Sequence, residues 1–315
     1  MYFIKNMLAV ITGKIPSKLI FNSVKPVIIH PFYHTVSDVY LPHIHPIYKP
    51  KNLKEFTKDI DFLCRHFEAI DINSVYYYFK SGKKPLKNCF HLSFDDGLRE
   101  VYEIIYPLLL KKGIHATIFI NTAFVDNKNL FFRHKAALLI DAINKKNKSG
   151  TVRSEIIKIL SIPYSESEKF NEFAKILEVD FQEYLTKNRP YLTTEELKEM
   201  KNNGFTIGSH SIDHPRYTEI NETEQIRQTL ESGKYIRDTF HESNSFFSFP
   251  FSDEKITNSF FNAINSETDL TFGISGMKTG NNGKHIGRID MERRKTAKEI
   301  IQLLLLKHKL LRVIS

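Results

Sequence analysis

The feature that most narrows the folds open to this chain is a rhythm in which short, almost wholly apolar runs alternate with amphipathic helical ones. "NCFHLSF" (88–94) reads as a strand buried on both faces, "LREVYEIIYPLLLKKG" (98–113) as a helix closed by Gly113, and "HATIFI" (115–120) as the next buried strand. Strands without a polar face belong in parallel sheets covered by helices, because each parallel pairing needs a crossover and the crossover packs on the sheet. The beat recurs in "VKPVIIHPFYHTV" (24–36), "FTIGSH" (205–210), "SFFSFPF" (245–251) and "LTFGIS" (270–275). Helices are expected over 52–67, from Thr193 or Thr194 to Gly204, and over 221–238. An α/β sheet or barrel follows.

Between about 124 and 190 the rhythm breaks. There "RHKAALLIDAINKK", "RSEIIKIL" and "ESEKFNEFAKIL" are charged helical candidates with no strong strand between them. This predicts a helical insertion upon one domain spanning 1–315. The size permits it: 315 residues, 41% hydrophobic, with 25 Phe and 14 Tyr, can bury one substantial core. No apolar run approaches the ~20 residues that cross a bilayer, and the interrupted N-terminal "MYFIKNMLAVITGKIPSKLIF" does not read as a signal peptide. Cys64 and Cys89 form no CxxC arrangement and lie near no zinc-finger partner, so neither a disulfide framework nor a thiolate metal site is expected, and reduced, buried thiols are. A net charge of +9 favours anionic partners, yet the basic residues sit in scattered groups such as "SGKKPLKN" and "INKKNKSG". That is not the dense stripe of a nucleic-acid binder.

Chemistry gathers where strands end, which is where barrel enzymes build their sites. "SFDDG" sets Asp95 and Asp96 side by side; their side chains must diverge, so one can bind a cation while the other stays free as a base. "IGSHSIDHPRY" places His210 and His214 four residues apart just past a strand, where a first helical turn would bring both imidazoles to one face. Two imidazoles and one carboxylate make a three-ligand site with open positions, as catalytic metal centres have. Zinc is the expected ion, although such N/O sites also accept cobalt, nickel or iron.

Together these motifs resemble the first two of the polysaccharide deacetylases, also called the NodB-homology or carbohydrate esterase 4 family. "FYHTVSD" is similar to an early Tyr-His segment of that family, "HATIFI" to the strand after the first motif, and "FFSFPF" to the third motif. The likeness spans roughly 26–290 outside the helical stretch. It implies a distorted (β/α) barrel that removes acetyl groups from glycans with a divalent metal. Carried over by position, Asp95 would be the general base and Asp96, His210 and His214 the metal ligands. Phe251, after Pro250, would offer a backbone N–H to the developing oxyanion. Ser248 and Phe249 replace the arginine frequent before that proline, so Arg288 in "IGRIDME" is the candidate to orient Asp95. The late leucine-rich motif has no match around His308. In a branch of the family that resembles exopolysaccharide deacetylases the early Tyr-His histidine takes this role, which makes His34 the implied acid, with His30, His43, His45 and His285 as weaker candidates.

The implied reaction is hydrolysis of an N-acetyl group on an N-acetylhexosamine unit of a polysaccharide or precursor. Its rivals are an O-acetyl esterase or non-sugar amidase of the same fold, and a catalytically silent glycan-binding protein. The expected partner is an acetylated glycan and not nucleic acid; the oligomeric state is not legible. A cytoplasmic place is expected, with peripheral contact at the inner membrane face. The C-terminal "AKEIIQLLLLKHKLLRVIS" is apolar on one side and basic near its end, so it suits either packing on the barrel or an anionic membrane.

Overall fold

A computed structural model describes residues 26–146, 153–280, 283–292 and 295–314, the side chains from 307 onward excepted. The N-terminal stretch read for a leader, and His308, thus lie outside the described residues or side chains. The strands in chain order are β1 (Ile28–Ile29), β2 (Pro31–Tyr33), β3 (Glu68–Ala69), β4 (Cys89–Phe90), β5 (Ser93–Phe94), β6 (Thr117–Ile120), β7 (Thr206–Ser209), β8 (Phe246–Ser248), β9 (Leu270–Gly273), β10 (Thr279–Gly280), β11 (His285–Gly287) and β12 (Ile289–Asp290). Nine form one sheet in the order β10-β11-β9-β8-β7-β6-β5-β2-β12, parallel throughout except for β10 against β11.

The two ends of that order are one segment of chain. β11 pairs with β9 and, a single residue later, β12 pairs with β2. Across the join, Arg288 N–H donates to the Gly273 carbonyl and Ile289 N–H to that of His30. The sheet therefore curls until it closes on itself, giving the expected distorted barrel. Below the mouth, β1 pairs with β4, and β4 with β3, in a small separate sheet. The run expected as one strand over 88–94 is thus split at His91 and Leu92 between two sheets.

Strand periodicity sorts the side chains. From "HLSFD", His91, Ser93 and Asp95 contact groups on other strands across the barrel interior. Leu92 and Phe94 turn outward into a core shared with the covering helices. Those helices include α1 (Leu53–His66), begun by an Asn52 capping box, and α2 (Ile72–Ser81), capped by Asp71 and ended at Gly82 in the left-handed region. The stretch 98–113 is less regular than expected: a π-helical turn, Val101–Ile105, precedes α3 (Tyr106–Lys111), where Pro107 has no N–H to give.

Between β6 and β7 run α4 (Phe132–Lys146), α5 (Arg153–Leu160), α6 (Lys169–Leu177), α7 (Phe181–Asn188) and α8 (Thr194–Asn202). The first four build an apolar core of their own with Leu98 and Ile44. This cluster is tied to the barrel mouth where Arg99 N–H donates to Pro190 and Leu192 N–H to Gly97, which places α4 beside the residues that follow Asp96. α9 (Glu222–Phe240) starts at the Asn221 cap, and α10 (Asn258–Ile264) at Thr257. The last helix, α11 (Ala297–Ile314), buries Ile301 and Leu305 in the core shared with α1, and no helix among the described residues is long and apolar enough to cross a membrane. Cys89 is buried, but Cys64 is exposed, contrary to the expectation for both thiols.

Candidate active site

Asp95 and Asp96 leave β5 in opposite senses because the backbone turns sharply between them. Asp96 has φ 71° and Gly97 φ 62°, left-handed values that glycine takes freely and aspartate tolerates better than most residues. A β-carbon on Gly97 would also stand 3.0 Å from Ile120, so the position is closed to larger residues. Asp95 continues the inward row and meets Arg288 in a two-pronged pair, Nη1 to Oδ1 at 2.7 Å and Nη2 to Oδ2 at 2.6 Å. Asp96 faces the histidines instead: its Oδ1 lies 3.2 Å from His214 Nε2 and 3.5 Å from His210 Nε2.

Asp96, His210 and His214 each offer a ligand atom within 4.8 Å of the others, and all three residues are buried. The local backbone differs from the expected helical turn. Residues 210–216 form a bent loop in which Ser211 (φ 70°) and His214 (φ 62°) are left-handed. Ser211 Oγ accepts from His214 N–H, and Gln228 of α9 accepts from Ile212 N–H. The two rings end with centres 4.8 Å apart.

Polar bookkeeping favours a cation here. His210 Nδ1 lies 2.8 Å from the Ser248 carbonyl; as the donor in that bond it leaves Nε2 with a lone pair turned to Asp96. Burial pushes His210 down to about 4, partly offset by Asp95, so the ring is neutral at pH 7. Asp96 Oδ1 is buried, and the imidazole nitrogens beside it do not satisfy it as well-formed hydrogen bonds would, a costly state that a metal ion would relieve. Burial alone would raise both carboxyls, but Arg288 holds Asp95 below the usual range and His214 holds Asp96 below it. Both are ionised at neutral pH.

Arg288 is fully buried. Besides Asp95 it donates to Ser93 Oγ (3.1 Å) and Ser248 Oγ (2.6 Å), and its Cζ lies 4.2 Å from the centre of the Phe32 ring. The serine that stands in the arginine's place in the third motif therefore receives a guanidinium from β11–β12.

His34 sits at the edge of the same groove, its side chain 29% exposed. Its Nδ1 is 2.5 Å from Glu292 Oε2, while Glu292 Oε1 accepts from the backbone N–H groups of His34 and Thr35. Burial would lower this histidine, but the Glu292 carboxylate prevails and raises it to about 10. Glu292 carries no motif, and its position just past a strand end was the one signal available.

Phe251 has φ 56° and packs its ring 4.6 Å from that of His214; its N–H has no hydrogen-bond partner among the described residues. With Pro250 it follows β8 at the groove wall. The weaker histidine candidates lie elsewhere. His30 is in the barrel floor against His91, His43 is bonded to Tyr184, His45 accepts from Leu41 N–H, and His285 pairs with Asp253. The groove that joins Asp95, Asp96, His210, His214, His34 and Phe251 measures about 670 Å³, within the ordinary range for a small-molecule site.

Residues 82–271 match the family model described as polysaccharide deacetylase. The Bacillus subtilis protein YxkH is 23% identical over 198 residues, 62% of this chain and 49% of that protein. The poly-beta-1,6-N-acetyl-D-glucosamine N-deacetylase of Staphylococcus aureus is 29% identical over 160 residues, 49% of this chain and 52% of that protein. The chain thus spans about half the length of the curated relatives it matches. Among solved structures, the Streptococcus pyogenes deacetylase PplD in complex with acetate superposes with a TM-score of 0.60 at 15% identity, covering 89% of this chain and 99% of that one. The chain belongs to the polysaccharide deacetylase family.

Proposed function

We propose that this member of the polysaccharide deacetylase family hydrolyses the N-acetyl group of an N-acetylhexosamine unit, using a divalent ion held by Asp96, His210 and His214. The observation that carries the reading is the division of labour between adjacent aspartates: one is locked to an arginine, the other is turned to two histidines. A bound divalent ion, zinc by the two-nitrogen, one-oxygen donor set, supplies Lewis acidity that lowers the pKa of water.

The chain's own groups do the rest. Asp95, kept ionised and aimed by Arg288, takes a proton from the attacking water, whose oxygen bonds to the acetamide carbon. Phe251 N–H faces the negative charge that grows on the carbonyl oxygen. His34, with Nδ1 engaged by Glu292, gives its Nε2 proton to the departing nitrogen as the carbon–nitrogen bond breaks, leaving acetate and a free amine. A histidine held protonated by a carboxylate favours amide over ester cleavage, since an amine leaves only when protonated and an alcohol needs less help.

Acetate release from N-acetylated glucosamine oligomers by the zinc-loaded protein tests the reading. Wild type is expected to release acetate, and Asp95→Asn to keep its zinc while losing about 10²–10⁴ in turnover. Zinc-loaded wild type that is silent on every N-acetylated sugar would sink it.

A further inference from the structure

The groove is not electrically uniform. Asp95, Asp96, Asp290 and Glu292 line it together with Arg133 of α4 and Arg216 of the histidine loop. Both guanidiniums ride on aromatic rings: Arg133 Cζ lies 4.8 Å from the centre of Phe132, and Arg216 Cζ 4.3 Å from that of Phe251. The two rings are 6.3 Å apart, and Phe251 packs on His214. The cations therefore flank one aromatic shelf, with Arg216 one ring and Arg133 two rings away from a proposed metal ligand.

Arg216 is paired with Glu219 through Nε, but among the described residues both guanidiniums keep N–H groups without a hydrogen-bond partner. Arg133 gives one Nη1 hydrogen to the Leu160 carbonyl (2.7 Å), and its remaining N–H groups have no hydrogen-bond partner among the described residues. Arg216 stands 3.3 Å from Glu219 through Nε, with its side chain 38% exposed. Burial and the nearness of Arg216 disfavour the charge on Arg133 and Glu219 only partly offsets them, so a further anion at the two guanidiniums would be favoured.

We propose that Arg133 and Arg216 form an anion subsite: they bind a phosphate or carboxylate carried by the glycan beside its acetylated sugar, and so select anionic over neutral substrates. Planar guanidinium forks match either group, and stacking on Phe132 and Phe251 fixes their planes in advance. The proposal rests on reading the groove as a glycan site. It also gives the helices between β6 and β7 a task, because α4 delivers Arg133 and α5 ends at the carbonyl that holds it.

Calorimetry and turnover with N-acetylglucosamine 1-phosphate, and with the neutral methyl glycoside of N-acetylglucosamine, test this on the full chain. Wild type should bind the phosphate about ten-fold more tightly or better, with the advantage shrinking as salt is added. Arg133→Gln with Arg216→Gln should erase that preference while changing the neutral sugar less than about 3-fold, and lysine at both positions should restore part of it. Equal wild-type affinity for the two sugars, or equal losses on both in the double variant, overturns the proposal. Because binding is read apart from turnover, failure to release acetate would count against the deacetylase reading alone, while a phosphate preference lost in the double variant would still establish the subsite.

Discussion

Two histidine pairs occupy one barrel and have opposite fates. His210 and His214 meet at the mouth with ring centres 4.8 Å apart, and His30 and His91 meet in the floor at 5.7 Å. Both pairs are buried, so closeness and burial do not separate them. What differs is the carboxylate. At the mouth Asp96 faces both rings; in the floor, among the described residues, the His91 ring bonds Thr117 Oγ1 at 2.9 Å with no carboxylate beside it, and the rings pack on Phe272. Burial pushes His30 down to about 3, and burial also lowers His91 well below its usual value, in each case with Arg288 adding to the effect. The floor pair is neutral filling. Of the two pairs, the mouth pair has a carboxylate beside it and lines the groove, whereas the floor pair has neither among the described residues.

The largest expected break in that contrast is Asp96→Ala, which leaves the mouth pair as acid-free as the floor pair. Zinc binding by calorimetry should fall at least 100-fold, and retained tight binding would refute the assignment. A middle-sized effect concerns the histidine that owes its charge to an acid. Glu292→Gln should move the alkaline limb of the pH–rate profile from near 10 toward the ordinary histidine value of about 6.5. Because the folded pKa is raised, this ion pair stabilises the fold fully below about 6.5, and the gain is lost as pH climbs through about 10. An unmoved limb would remove His34 from the proton path. The smallest effect should come from His91→Leu: zinc affinity unchanged, and stability in denaturant shifted by only about 1 kcal/mol as one hydrogen bond is exchanged for apolar filling. A loss of zinc there would erase the contrast altogether.

The sequence told most where chemistry depends on neighbours in the chain. The adjacent aspartates, the His-x3-His spacing and the buried strands are local patterns, and the structure brings Asp96, His210 and His214 together as those patterns suggested. Arg288, chosen only as a candidate, proves to be bidentate to Asp95. What was missed depends on distance or on backbone detail. Glu292 reaches His34 across 258 residues, and the Ser248 carbonyl fixes His210 from another strand; neither leaves a trace in spacing. The histidine loop owes its shape to left-handed Ser211 and His214, conformations that residue type alone does not announce. The aromatic run "INSVYYYFKS" carries strand-like residues, yet its Asp71 cap and Gly82 terminator make it α2.

The closure of the sheet through residues 285–290 also sets an order of events. Arg288 lies in the segment that seals the barrel, 193 residues after the aspartate it grips. A nascent chain that has emerged only as far as β9 already carries both aspartates and both histidines, but its Asp95 has nothing to aim it. In the proposed mechanism, therefore, the base is aimed only once synthesis has passed residue 288, in the stave that joins the two ends of the sheet.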